Sequence, residues 1–294
     1  MECAHLPGML WQTPIRTFDL SRSGVVMGIL NVTADSFSDG GQWLDAGRAV
    51  EHARAMAEEG AEIIDVGGES TRPGAEPVSE AEEMRRVLPV IERLSLLNAR
   101  LASRITISID TMKPAVARAA IECGAAIVND VTGLRDTAMR EVVRTTGVGA
   151  IAMHMQGEPR TMQRAPRYDD VCGEIREFFR QTFAACLRSG IDPMRLAFDP
   201  GIGFGKTVEH NLALLRNLDS MRAGGRPLVL GVSRKSFLGK VLGSDATGDR
   251  EWPTVALTSH GAARGANVFR VHEVRANVEA LRMTEAILHG VPTA

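Results

Sequence analysis

Short apolar runs alternate along the chain with longer stretches in which apolar residues recur at helical spacing. The first run, Val25–Asn31, is apolar almost throughout, without the every-second-residue alternation of a strand that has one wet face. Similar runs are read at 62–65, 105–110, 126–130, 148–154, 195–199, 227–232 and 267–272. Strands of this kind suit parallel pairing with both faces covered. Helices are expected between them. One covers 45–59, where Ala49, Ala53, Met56 and Ala57 share a face and Gly60 is the stop. A second starts at Ser79, which stands at capping-box spacing from Glu82. Others are read at 113–122, 136–145, 169–188, 209–217, 254–264 and 275–289, and the stretch after the seventh strand is broken by Gly239, Gly243 and Gly248.

Parallel neighbours require crossover connections, and each helix supplies one. Eight strand–helix units in sequence predict an α/β fold, a single-domain (β/α)8 TIM barrel over 25–290 with an N-terminal extension at 1–24. An open doubly wound sheet shares the alternation, but eight successive units favour closure. The 294 residues fit a barrel of about 250 with modest additions, and no Pro/Ser-rich linker divides them.

Composition narrows the function. A formal charge of -2 without a basic stretch argues against nucleic acid, and one Tyr with three Trp argues against a base-stacking surface. No apolar run is long enough for a membrane span, and residues 1–12 carry no visible secretory signal. Cys3, Cys123, Cys172 and Cys186 form no C-x-x-C pair, which reads as reduced thiols in a cytoplasmic protein and not as a zinc site.

The chemistry gathers at the strand ends. In order they close on Asn31, Asp65, Asp110, Asn129 with Asp130, His154, Asp199, Ser233, and Arg270 with His272. One Asp after a strand is ordinarily a turn former or helix cap. A polar ending on every strand is what a barrel enzyme shows, because its active site sits at the C-terminal ends of the strands. The following loops are rich in Gly, Ser, Thr and cations: NVTADSFSDGG, VGGESTRPGAEP, DPGIGFGK and SRKS. Arg72, Lys235, Arg270 and His272 would bring cationic groups over one end, as a diphosphate-bearing substrate requires. GIGFGKT at 201–207 approximates a P-loop, but its spacer is one residue short and it follows a sixth strand, so it is not read as one. Met153, His154 and Met155 are read as packing residues in preference to metal ligands.

Taken together, MGILNVTADSFSDGG, IIDVGGESTRPGA, SIDTMKP, IVNDVTG, AMHMQGEPRTMQ, FDPGIGFGK, GVSRKSFLG and FRVHEV resemble, in order and over nearly the whole chain, the dihydropteroate synthase family. The resemblance implies the same barrel. It also implies condensation of (7,8-dihydropterin-6-yl)methyl diphosphate with p-aminobenzoate to 7,8-dihydropteroate and pyrophosphate, with Mg2+, inhibition by sulfonamides and a homodimer. By the same resemblance Asp110, Asn129, Asp199 and Lys235 read the pterin, with Met153 against its ring. Arg270 stacks on the pterin and points a fork at the phosphates. Asn31, Thr71 and His272 meet the diphosphate, and Asn31 contacts the metal. Phe37, Thr71, Arg72, Pro73, Phe204 and Ser233 hold p-aminobenzoate, with Phe37 and Phe204 sandwiching its ring. Asp35, Arg72, Lys235 and Arg270 carry the catalytic roles. Asp65 and His154 gain no ligand role and are read as supports.

Two departures stand out. Ala34 occupies a loop-one position where the family pattern usually has Pro, which predicts a looser loop and a raised apparent constant for p-aminobenzoate. The stretch GDREWPTVALTSHGAARGA is less typical, and Trp252 within it is read as helix packing or a dimer contact. A pterin-dependent methyltransferase domain and a non-catalytic pterin-binding paralogue are the rival readings. The first would not need SRKS with STRPGA, and the second would be expected to have lost Asn31, Arg72, Lys235, Arg270 and His272.

Overall fold

The computed structural model describes residues 9–33, 41–70, 74–98, 105–158, 160–244 and 246–291, the side chains of 41–45 aside. Strands β1 (Leu10–Gln12) and β2 (Thr17–Asp19) form an antiparallel hairpin. Eight parallel strands follow: β3 (Val25–Asn31), β4 (Ile63–Gly67), β5 (Thr106–Asp110), β6 (Ile127–Asp130), β7 (Gly149–Met153), β8 (Leu196–Asp199), β9 (Val229–Leu230) and β10 (Val268–Val271). They pair in the order β8-β7-β6-β5-β4-β3-β10-β9, and a parallel bridge between Phe198 and Leu228 closes the ring. Helices α1 (Gly41–Glu58), α2 (Glu80–Asn98), α3 (Pro114–Glu122), α4 (Thr137–Thr146), α5 (Val171–Arg188), α6 (Val208–Arg216), α7 (Ser236–Leu242), α8 (Glu251–Ala263) and α9 (Val274–His289) make the outer layer. The barrel expected from the alternation is therefore the fold.

Along each strand successive side chains turn in and out of the ring. The outward ones meet the helices in one large apolar cluster, among them Leu30, Ile64, Ile109, Val128, Phe198 and Phe269. At the N-terminal end the inward positions are also apolar: Val25, Met27, Ile63, Ile127, Ile151, Ala197, Val229 and Val268 pack with Trp11, Phe18 and Leu20 of the hairpin segment. The hairpin thus plugs the end of the barrel opposite the strand C-termini. It is a feature the sequence pattern did not show, because its strands have three residues each.

Trp11 is fully buried, donates from its indole Nε1 to the Arg195 carbonyl at 2.9 Å and tilts against Phe18. Trp11→Ala should lower stability by about 3–5 kcal/mol, since the plug cannot collapse into the space left. The shift in urea midpoint measures it, and an unchanged midpoint would refute the plug.

Two local expectations change. Helix α7 runs through Gly239 and stops at Gly243, whose φ of 69° is left-handed. Gly239 is needed for contact, because a Cβ there would collide with the Ser244 carbonyl. Only half of the expected capping box forms on α2. Ser79 Oγ accepts from Glu82 N–H at 3.3 Å, whereas the Glu82 carboxylate turns to Arg85 and Arg86. A full box caps α6 instead, between Thr207 and His210, so the threonine of GIGFGKT is a helix cap. No helix among the described residues is long and apolar enough to cross a membrane.

Candidate active site

Above the apolar plug the inward positions become polar. Asp65 of β4, Asp110 of β5, Asn129 of β6, Asp199 of β8 and Arg270 of β10 all stand in or at the end of their strands and face the ring. Arg270 joins them: its Nε donates to Asp65 Oδ2 at 2.6 Å and its Nη2 to Asp110 Oδ2 at 2.7 Å. Asn129 Nδ2 also donates to Asp65 Oδ2, at 3.0 Å, which fixes the orientation of that amide. Asp65, fully buried, is thus the anchor that orients Arg270 and Asn129. Its support role was legible in sequence; its partners were not. The fork of Arg270, expected to face the phosphates, is engaged by the two carboxylates.

Charge is concentrated here among largely buried side chains. Burial pushes the Asp110 carboxyl up to about 7, and the Asp65 and Glu83 carboxylates add to that push against Arg270 and Lys235. Burial raises Asp199 as well, opposed by the Gly201 N–H that donates to its Oδ1 at 2.7 Å. For Asp110 the folded protein holds a proton between about pH 4 and about 7 that the unfolded chain has lost. Stability therefore falls as pH rises through that window, and the full penalty stands above it. Asp110→Asn removes the titration. Its stability relative to the parent should improve from pH 5 to about pH 7 and then level off, while pterin affinity drops about 10- to 100-fold. Urea unfolding at both pH values with a pterin titration checks this; a stability difference independent of pH would contradict it.

Lys235, N-cap of α7, places its Nζ 4.0 Å from the centre of the Phe204 ring. Phe204 shares an apolar cluster with Val131, Met153, Met155 and Met162, so the residues assigned to the pterin side (Met153, Lys235) and the aminobenzoate side (Phe204) meet. One face of Phe204 is taken by Lys235, which leaves less of it for a sandwich. Ser233 Oγ lies 2.9 Å from His272 Nδ1 and accepts from the His272 backbone N–H at 3.2 Å. Ser233 and His272, read as belonging to different substrates, are one unit. Asn31 ends β3 with its side chain exposed at the barrel mouth, near the glycine of β4 that pairs with it, Gly67.

The loop after β8 carries Phe204 and is clamped by the loop after β7. Gln163 donates to the Gly203 carbonyl and Tyr168 OH to the Gly205 carbonyl at 3.0 Å. Gly201 is held at φ 67°, where a Cβ would collide with the His154 carbonyl. Other strand endings turn away from the site. Asp130 receives Thr132 N–H and Oγ1–H and Leu134 N–H, so it shapes its own loop. His154 packs edge-on against Phe178 at 5.0 Å. Sequence reasoning missed Lys206, buried beneath this loop, and Lys113, which bridges Glu69 and the fully buried Glu83 under the loop after β4. The one available signal was an isolated charge in an apolar or glycine-rich setting. Ala34, Asp35, Phe37, Thr71, Arg72 and Pro73 lie outside the described residues.

Among the described residues no group of three His, Cys, Asp or Glu is placed to hold a metal ion. Among the described residues, Asn31 offers a neutral amide at the exposed rim of the mouth. That fits Mg2+ carried in by a diphosphate, because Mg2+ keeps waters and takes its other ligands from substrate phosphates.

The pterin binding enzyme family profile matches residues 27–272. The chain is 45% identical over 272 residues to the dihydropteroate synthase of Escherichia coli K12, covering 92% of this chain and 94% of that one. It superposes on the Xanthomonas albilineans dihydropteroate synthase with 4-aminobenzoic acid with a TM-score of 0.88 at 43% identity, covering 97% and 100% of the two chains. The Burkholderia cenocepacia dihydropteroate synthase complexed with 7,8-dihydropteroate gives 0.84 at 40% identity, covering 96% and 97%.

Proposed function

The chain belongs to the dihydropteroate synthase family of pterin-binding enzymes, and from that premise we propose how its barrel mouth does the chemistry. The protein is a transferase that condenses (7,8-dihydropterin-6-yl)methyl diphosphate with p-aminobenzoate in folate biosynthesis. The C–O bond from the pterin methylene to the diphosphate breaks, a C–N bond to the aniline nitrogen forms, and that nitrogen gives up a proton. The products are 7,8-dihydropteroate and pyrophosphate.

The bridge Asp65–Arg270–Asp110, standing beside Asn129, Asp199 and Lys235, carries the residue assignment. Asp110 and Asp199 present carboxyl groups to the N–H edge of the pterin's amino-pyrimidinone ring, a charge-assisted pairing, and Lys235 donates to its carbonyl. Asn129 completes the edge and Met153 lies against the ring. Arg270, held by the carboxylates, spans from the pterin toward the diphosphate, where Asn31, Thr71 and His272 meet it. Asn31 would hold a Mg2+ ion brought in with the diphosphate, and the ion would supply charge neutralisation of the leaving group. The positive charge left on the methylene is shared by the pterin ring nitrogens, so a weak aniline nucleophile suffices. Phe204, Ser233, Phe37, Thr71 and Pro73 hold p-aminobenzoate, while Asp35 and Arg72 assist departure and exclude water.

The test mixes both substrates with the protein and follows pyrophosphate. Release is expected with Mg2+, is lost on chelation, and is inhibited by a sulfonamide competitively with p-aminobenzoate. No release with intact pterin binding would sink the reading and favour a non-catalytic paralogue.

Residues 25–290 are the catalytic domain, with 1–24 as an extension. A cytoplasmic homodimer completes the proposal. Cys123, Cys172 and Cys186 are free thiols. Trp252 on α8 is 78% exposed, so it is not internal helix packing, and Val241, Leu242, Met283 and Ile287 are exposed on α7 and α9. Trp252→Glu should shift the sedimenting species toward monomer; an unchanged dimer would move the interface elsewhere.

A further inference from the structure

We infer that Lys206 is a positioning residue that fixes Phe204, and with it the p-aminobenzoate side of the site, from beneath the loop after β8. The inference rests on the assignment of Phe204 proposed above.

Lys206 is only 3% exposed. Its Nζ lies 2.9 Å from the Phe204 carbonyl, 3.1 Å from His154 Nδ1 and 3.4 Å from the His154 carbonyl. All these acceptors are neutral. Burial holds the His154 imidazole unprotonated, so its Nδ1 can accept. Burial also draws the ammonium itself down to about 7, with Asp199 opposing and Lys235 adding to the shift. A buried cation without a carboxylate in contact does not out-stabilise a well-packed apolar side chain. What the ammonium supplies is geometry.

The segment it holds has little rigidity of its own. Gly203 and Gly205, both at positive φ, flank Phe204. Three consecutive carbonyls are fixed from three directions: Gly203 by Gln163, Phe204 by Lys206 and Gly205 by Tyr168. The middle one belongs to the residue whose ring seats Lys235. The lysine of the near-P-loop therefore points into the protein, where it holds the Phe204 carbonyl.

Lys206→Met tests this in steady state. The expected result is a rise of about tenfold or more in KM for p-aminobenzoate, the scale of one charge-assisted hydrogen bond. The kcat and the KM for the pterin diphosphate should stay within about threefold, and the effect should vanish when Phe204→Ala is already present. A folded Lys206→Met with unchanged constants overturns the inference, as does an equal effect with and without Phe204. Should Lys206→Met fail to fold, His154→Leu removes one acceptor and keeps the Phe204 bond. It should raise the same constant about two- to fivefold, and no change would overturn the inference. Calorimetric titration of p-aminobenzoate onto the pyrophosphate- and pterin-loaded protein reads the same contrast without turnover. A parent that never releases pyrophosphate thus faults the functional assignment, whereas unchanged binding on substitution faults the role of Lys206.

Discussion

Arg270→Met is expected to reduce kcat/KM about 10²- to 10³-fold and to lower stability by about 3–5 kcal/mol. Both effects have one origin. Arg270 donates to Asp65 and to Asp110, and Asp65 is fully buried. Without the guanidinium two carboxylates face each other in a dry pocket, and Asp65 Oδ1 already has no hydrogen-bond partner among the described residues. Asp110, whose carboxyl burial already pushes up, should hold its proton more firmly in the folded variant, so the deficit shrinks as pH falls toward 5. Arg270→Lys keeps the charge, but a point-like ammonium does not reproduce the fork that spans the two carboxylates, so an intermediate loss is expected. Steady-state pyrophosphate release and urea unfolding at pH 5 and 8 measure these outcomes. Wild-type stability in Arg270→Met would show that the bridge does not hold the site together.

Gly201→Ala should be the most damaging single methyl group at the barrel mouth. The residue combines a left-handed φ of 67° with a Cβ position already occupied by the His154 carbonyl. The left-handed conformation alone costs about 1–2 kcal/mol for a residue with a side chain. The collision is with backbone, which cannot swing aside as a flexible side chain would. Total destabilisation of about 4 kcal/mol or more is expected, with activity lost as the loop after β8 shifts and carries Phe204 and the Asp199 contact with it. Gly225→Ala is the control: its φ is also positive, at 68°, but its Cβ would meet nothing within 4 Å. It should pay only the backbone term. Equal losses in the two variants would show that the His154 contact is unimportant.

Much of the fold was legible because strand and helix have different periods. Val25–Asn31 was read with its observed limits, and the other strands were placed within about two residues. The hairpin escaped because three-residue strands carry too few alternations to register. Gly239 looked like a break because its helix tolerates it for a contact with Ser244, which lies beyond the helix end. Among site residues, Arg270 and Asp110 were read from strand ends and motifs. The bridge through Asp65 joins residues 205 positions apart, and no local pattern reports such a distance. Lys206 was passed over once GIGFGKT was not read as a P-loop, and its inward course depends on burial by a different loop.

The amino-acid sequence by itself determined the alternation of buried strands and amphipathic helices, and hence the ring that gathers eight strand ends at one mouth. It also determined which residue types stand there, because identity and spacing are local properties. Only the tertiary structure decided which two carboxylates hold Arg270, that Ser233 and His272 act as one unit, and that Lys206 faces inward. Those outcomes are set by closure of the barrel, which brings distant strands within hydrogen-bonding reach and removes the water that would otherwise keep their charges apart.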